Sequence, residues 1–157
     1  MSRATREALW PWSLDVYGRQ GIEPLLLELQ DAHGQCVPFL LWSLWLAASG
    51  RPLDAPKAAA CAELARAWQG AAVSPLRKLR RDLKAKAKSA RVEVRVREGV
   101  KALELEAERM LLQMLEEASD PPSGPATDAE ATLRLAMRAW GVLPPAALIA
   151  RLTELAA

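Results

Sequence analysis

Histidine is almost missing from this chain: His33 is the only one in 157 residues, beside one Tyr, one Phe and two Cys. One imidazole excludes every multi-histidine metal centre and leaves a single side chain to titrate near neutrality. None of Ser13, Ser43 and Ser49 lies in a G-x-S-x-G frame that would make it a nucleophile beside His33. Cys36 and Cys61 lack C-x-x-C spacing and sit in apolar stretches, so they read as reduced, structural thiols. G-x-G-x-x-G and G-x-x-x-x-G-K-[ST] runs are also missing, which speaks against nucleotide-dependent catalysis. The glutamates of residues 103–117 have no Glu-x-x-His partners, as a di-metal carboxylate bundle requires, and read as a solvated face paired with Lys101 and Arg109. No catalytic residue, metal or cofactor is assigned.

Long apolar runs are equally scarce. The longest, "CVPFLLWSLWLAA" from Cys36 to Ala48, is broken by Pro38 and Ser43 and falls short of the eighteen or so residues that span a bilayer. The opening "MSRATREALWPW" has no apolar core ahead of a cleavage site, so the expectation is a cytoplasmic chain without a transmembrane segment.

What the chain has in quantity is Ala and Leu, with about half its residues apolar and without the β-branched and aromatic enrichment of a sheet protein. The expectation is an all-α fold: a single compact domain, residues 1–157, of about six to seven helices with a long amphipathic helical hairpin. Pro24 and the leucines after it predict a helix closed near His33 by Gly34. Val37 to Ser49 is a buried core helix ended by Gly50. Asp54 caps a helix that closes at Gly70, its inner side carrying Ala60, Leu64, Ala67 and Trp68. Ser74 and Pro75 mark a new start, with Leu76, Leu79 and Leu83 as the apolar stripe. From Val100 to Leu115 the apolar positions Val100, Leu103, Ala107, Met110, Leu111 and Met114 recur at helical spacing. Between these two, "RVEVRVRE" alternates like a strand, yet as a helix it places Val92, Val96, Val100 and Leu103 on one face; a bend is expected between Lys86 and Arg91. Residues 119–128 form a Pro-rich linker before two C-terminal helices.

Charge is divided unevenly. From Pro75 to Arg97 there are ten Lys or Arg against Asp82 and Glu93, while the segment from Lys101 to Glu130 is strongly acidic. A helix there gathers Arg77, Lys78, Arg80, Arg81, Lys84 and Lys88 as a basic surface suited to an acidic protein or to nucleic-acid phosphates, although it holds no aromatic for base stacking. The competing expectation is that the acidic helix that follows neutralises it. Six tryptophans supply a second candidate site: Trp10, Trp12, Tyr17 and Trp42 could wall a pocket, with Asp15, Asp31 or His33 as its polar group.

"LWPWSLDVYGRQGIEPLLLELQDAHG", "SPLRKLRRDLK" and "VKALELEAERMLLQML" together resemble a family of small proteobacterial proteins, the domain of unknown function 2390, over about Trp10 to Leu115. The resemblance implies a cytoplasmic, all-helical protein and carries no activity. It points to Trp12, Tyr17, Gln30, Asp31, Gly34, Arg77, Arg80, Arg81 and Lys84. The function expected is that of a non-catalytic binding or adaptor protein acting through the basic helix. The alternative is a small-molecule or lipid-binding protein, or an enzyme, built on the Trp/Tyr pocket. Homo-oligomerisation is compatible with either.

Overall fold

The structure is a computed structural model and describes residues 7–86 and 91–157. All regular structure among them is helical: α1 (Leu9–Tyr17), α2 (Ile22–Asp31), α3 (Val37–Ser49), α4 (Ala55–Trp68), a π-helical turn (Gln69–Val73), α5 (Ser74–Lys86), α6 (Arg91–Glu117), α7 (Ala129–Trp140) and α8 (Ala146–Ala156). Because α4, the π-turn and α5 run on without a break, they form one rod, and the described residues make seven helices in a single all-α domain. None is long and apolar enough to cross a membrane.

The axis of the fold is α3, whose sequence is apolar on every side and is buried nearly all round by α1, α2, α6 and α7. Phe39 stacks on Trp42 with ring centroids 5.0 Å apart, and Trp140 of α7 closes on Phe39 at 5.6 Å. Ser43 and Ser49 are tolerated inside because their hydroxyls donate back to the carbonyls of Leu40 and Trp45. Cys36 and Cys61 are buried and unpaired, and burial pushes the Cys36 thiol up to about 12.

Two local start and stop signals act differently from expectation. Ser74 does not cap a helix and Gly70 does not end one. Pro75 has no N–H for the carbonyl of Ala71, and its ring would crowd that carbonyl in a regular helix. The chain widens into the π-turn instead, with the Ser74 N–H donating to Gln69 O. The buried side of α4 is accordingly Ala58, Cys61, Ala62 and Ala65, a face rotated from the one expected. The stretch "RVEVRVRE" is helical from Arg91, yet Val96 and Leu103 are half exposed, and the inner stripe of α6 is Val100, Glu104, Ala107, Leu111 and Leu115. The bend expected between Lys86 and Arg91 falls on residues 87–90, outside the described residues. Helix α5 buries no residue fully, so the core is completed by α7 and α8 and not by the leucines of the basic helix.

Two glycines carry the chain reversals. Gly34 takes φ 66° and donates to Gln30 O at 3.2 Å, and Trp140 Nε1 donates to the Gly34 carbonyl at 2.8 Å. Gly50, at φ 70°, ends α3 and is the seat of the Pro-rich segment. Ser123 N–H donates to Gly50 O at 3.0 Å and Thr127 N–H to Ala47 O at 2.9 Å. The segment between α6 and α7 is thus strapped to the end of the central helix. A Cβ at residue 50 would overlap the carbonyl oxygens of Gly124 and Pro125. Gly50→Ala is therefore expected to destabilise the protein by about 2 kcal/mol or more, from the positive φ and the clash together. Urea unfolding measures this; Gly34→Ala, where no atom stands in the way, should cost less.

Candidate functional site

Where α5 lies against α6, the contact is charged. Arg77 and Arg80 are three residues apart and Glu104 and Glu108 four apart, so each pair shares one helical face. Arg80 Nε donates to Glu104 Oε2 at 2.5 Å and Arg80 Nη2 to Glu104 Oε1 at 3.3 Å. Arg77 Nε donates to the same Oε1 at 3.1 Å, and its Nη2 to Glu108 Oε1 at 3.1 Å. The side chains of Arg77 and Glu104 are only 15% and 10% exposed. Glu104 is thus not part of a solvated face paired with Lys101, as its spacing suggested. It lies under two arginines.

The two carboxylates respond in opposite directions. Burial alone would raise Glu104, but the hydrogen bonds from Arg80 and Arg77 outweigh it and hold the carboxyl below the usual range. For Glu108 burial dominates, ahead of the attraction to Arg77, and pushes the carboxyl up. Tyr17 is raised as well, by burial first and then by Glu23 and Glu108.

This charged wall closes one side of a cavity of about 320 Å³. Trp10, Ser13, Leu14 and Tyr17 of α1 form a second side, Leu27, Gln30 and Asp31 of α2 a third, and Val37, Pro38 and Leu41 of α3 the floor. From the α5–α6 hairpin come Arg77, Arg80 and Arg81, with Glu104, Leu105, Glu108 and Leu112. Leu14, Leu27 and Leu105 stand at its mouth, 40–52% exposed. Inside, the Ser13 hydroxyl is buried and makes no hydrogen bond. A second recess shares Tyr17, Arg80, Glu104, Leu105 and Glu108 with the cavity and continues past Glu23, Glu98 and Lys101.

The two sets of residues singled out in the sequence therefore meet. Arg77, Arg80 and Arg81 of the basic helix line the same cavity as Trp10, Tyr17 and Asp31. The other members of each set stand apart. Trp12 and Trp42 are core residues, Trp42 Nε1 donating to Ser119 Oγ at 2.8 Å, because their neighbours on α3 and α6 leave them no open face. His33 lies beyond the end of α2 and does not line the cavity. Lys78 is exposed and bonded to Asp82 at 2.7 Å, Lys84 is exposed, and Lys88 lies outside the described residues. Ser13 and the leucines of the rim escaped notice in the sequence, since nothing in a lone serine or an apolar helical position marks it as lining a void. Among the described residues no group of three or more His, Cys, Asp or Glu is placed to hold a metal ion.

Glu104 and Glu108 should be separable by titration. A depressed carboxyl contributes stability that is complete above its unfolded value, about 4.3, and fades as pH falls through its lower folded value; a raised carboxyl does the reverse. Glu104→Gln is expected to cost about 3 kcal/mol at pH 7, leaving two arginines without their shared acceptor, and to flatten the loss of stability below about pH 4. Glu108→Gln should cost less at pH 7. Urea unfolding from pH 3 to 8 tests this, and equal costs would contradict the assignment.

No solved structure and no curated protein matches the chain. A family model does, described as a protein of unknown function (DUF2390) and aligned with residues 8–115. That span runs from the start of α1 through most of α6 and holds every residue that lines the cavity. Since the match covers well over half of its residues, the chain belongs to the DUF2390 family.

Proposed function

We propose that this protein is a non-catalytic binding protein whose cavity receives a small amphipathic organic molecule. The observation that carries this is the make-up of the cavity: apolar walls from α1, α2 and α3 facing a few convergent polar groups, at a volume near the lower end of organic-ligand sites. Trp10 and Tyr17 supply rigid aromatic surface, and Leu14, Leu27 and Leu105 leave an apolar mouth open to solvent. Binding rather than catalysis is favoured because Ser13, the hydroxyl lining the cavity that could serve as a nucleophile, has no hydrogen-bonded base to activate it.

A second reading follows from the outward side of α5. Arg81, Lys84 and Lys86 are exposed and form no ion pair among the described residues, which suits an acidic protein surface or nucleic-acid phosphates. Such a contact weakens steeply with salt and is abolished by Lys84→Glu with Lys86→Glu; a salt-independent contact counts against it.

The cavity is tested with 8-anilinonaphthalene-1-sulfonate, an aromatic anion whose emission rises in apolar sites. The folded protein should enhance and blue-shift its emission. Replacing Leu14 and Leu105 by Trp, both on the exposed rim, should weaken dye binding by about tenfold while leaving the melting temperature unchanged. Undiminished dye binding by this plugged variant would remove the basis for the proposal.

A further inference from the structure

The hydrogen-bonding groups around the cavity are not evenly balanced between donors and acceptors. Each guanidinium offers five N–H groups and accepts nothing. Arg77 and Arg80 commit only part of theirs to Glu104 and Glu108. On the acceptor side, both oxygens of Glu104 are already taken, and Asp31 Oδ1 receives Gln30 Nε2 at 3.2 Å. Arg81, one turn beyond Arg77, lines the cavity, is exposed, and has no carboxylate partner among the described residues. The buried Ser13 hydroxyl adds a further unused group. An arriving molecule therefore meets more donors than acceptors, and one guanidinium wholly uncommitted.

We infer that the molecule bound in this cavity is a monocarboxylate with an apolar body, its carboxylate held by the Arg81 guanidinium at the mouth. The inference rests on the ligand-binding function proposed above. A planar carboxylate matches the fork of an arginine with two parallel N–H bonds, which a neutral hydroxyl cannot do. Asp31, Glu104 and Glu108 already offset the three arginines of the lining, so the anion that meets least opposition is one with a single negative charge; a phosphate dianion or a nucleotide would bring at least twice that charge against three carboxylates. The body of the ligand packs on Leu27, Val37, Leu41 and Leu112, which give no partner to further polar groups, and on the ring of Trp10. Protonation of Glu108, whose carboxyl is raised by burial, removes one of the opposing charges, so uptake of the anion strengthens as pH falls. The groups around Glu108 are Arg77 and Arg80 of α5, Glu104 of its own helix, Tyr17 of α1 and the Cys36 thiol before α3, with Glu23, Glu98 and Lys101 along the adjoining recess.

The test uses three molecules of one shape on the full chain by isothermal titration calorimetry: octanoate, octan-1-ol and octylamine. Octanoate should bind about tenfold or more tighter than the other two. Arg81→Gln, an exposed change that leaves folding intact, should abolish that advantage and leave the affinity for octan-1-ol unchanged, and Arg81→Lys should restore part of it. Octan-1-ol binding as tightly as octanoate, with Arg81→Gln without effect, overturns the carboxylate assignment but keeps the cavity as a ligand site. Failure of all three molecules and of the anilinonaphthalene dye to bind overturns both.

Discussion

A carboxylate leaves water only where hydrogen-bond donors replace its hydration, and an uncompensated buried charge costs several kcal/mol. Glu104 meets that condition by taking N–H groups from two arginines on the neighbouring helix. Since α5 buries no side chain fully, apolar packing alone does not fix it against α6. This shared acceptor ties the inward face of α5 to α6, and with it the arginines that α5 presents to the cavity. Trp68, whose indole donates to Ala107 O at 2.8 Å, holds the preceding turn to the same helix.

The same contact separates the roles of three neighbouring arginines. Arg77 and Arg80 are held as walls, their charge largely spent on Glu104 and Glu108, while Arg81 keeps its charge for whatever enters. Around them the helices contribute apolar surface of the ordinary kind. The cavity lies where α1, α2 and α3 face the hairpin: α6 packs directly on α1 and α3, while α5 turns arginines inward at this point. Cavities of this sort are places where a fold forgoes packing energy, which larger apolar side chains at residues 104 and 108 could have supplied.

The helical class, the buried α3 and the reversals at Gly34 and Gly50 were legible, because periodicity and left-handed glycine positions are local signals. So was the division of charge between the two halves of the hairpin, and the notion that one neutralises the other. What stayed hidden was which residues do so. Glu104 and Glu106 look alike in the sequence, and only the rotation of α6 decides that one is buried. Val96 and Leu103 looked like core for the same reason. The Trp/Tyr set and the Arg set were each visible but seemed rival sites, since their meeting brings together residues far apart in the chain. The α-helix does begin at Ser74, but Ser74 is no cap, because the turn before it is already helical and its own backbone is right-handed helical.

That turn has a consequence for the whole hairpin. A π-helical turn takes up about one residue more than a regular turn, and one residue corresponds to about 100° of rotation about the helix axis. Gln69–Val73 therefore acts as a phase shift placed between two stretches of an otherwise continuous rod. Upstream, the small face of Ala58, Ala62 and Ala65 faces the core; downstream, the face aimed at α6 is the one that bears Arg77 and Arg80. With the phase unshifted, the places of Arg77 and Arg80 would fall to Leu76 and Leu79. One residue's worth of slack, held open by Pro75, thus selects which side chains of a uniformly basic helix turn inward and which remain on the surface.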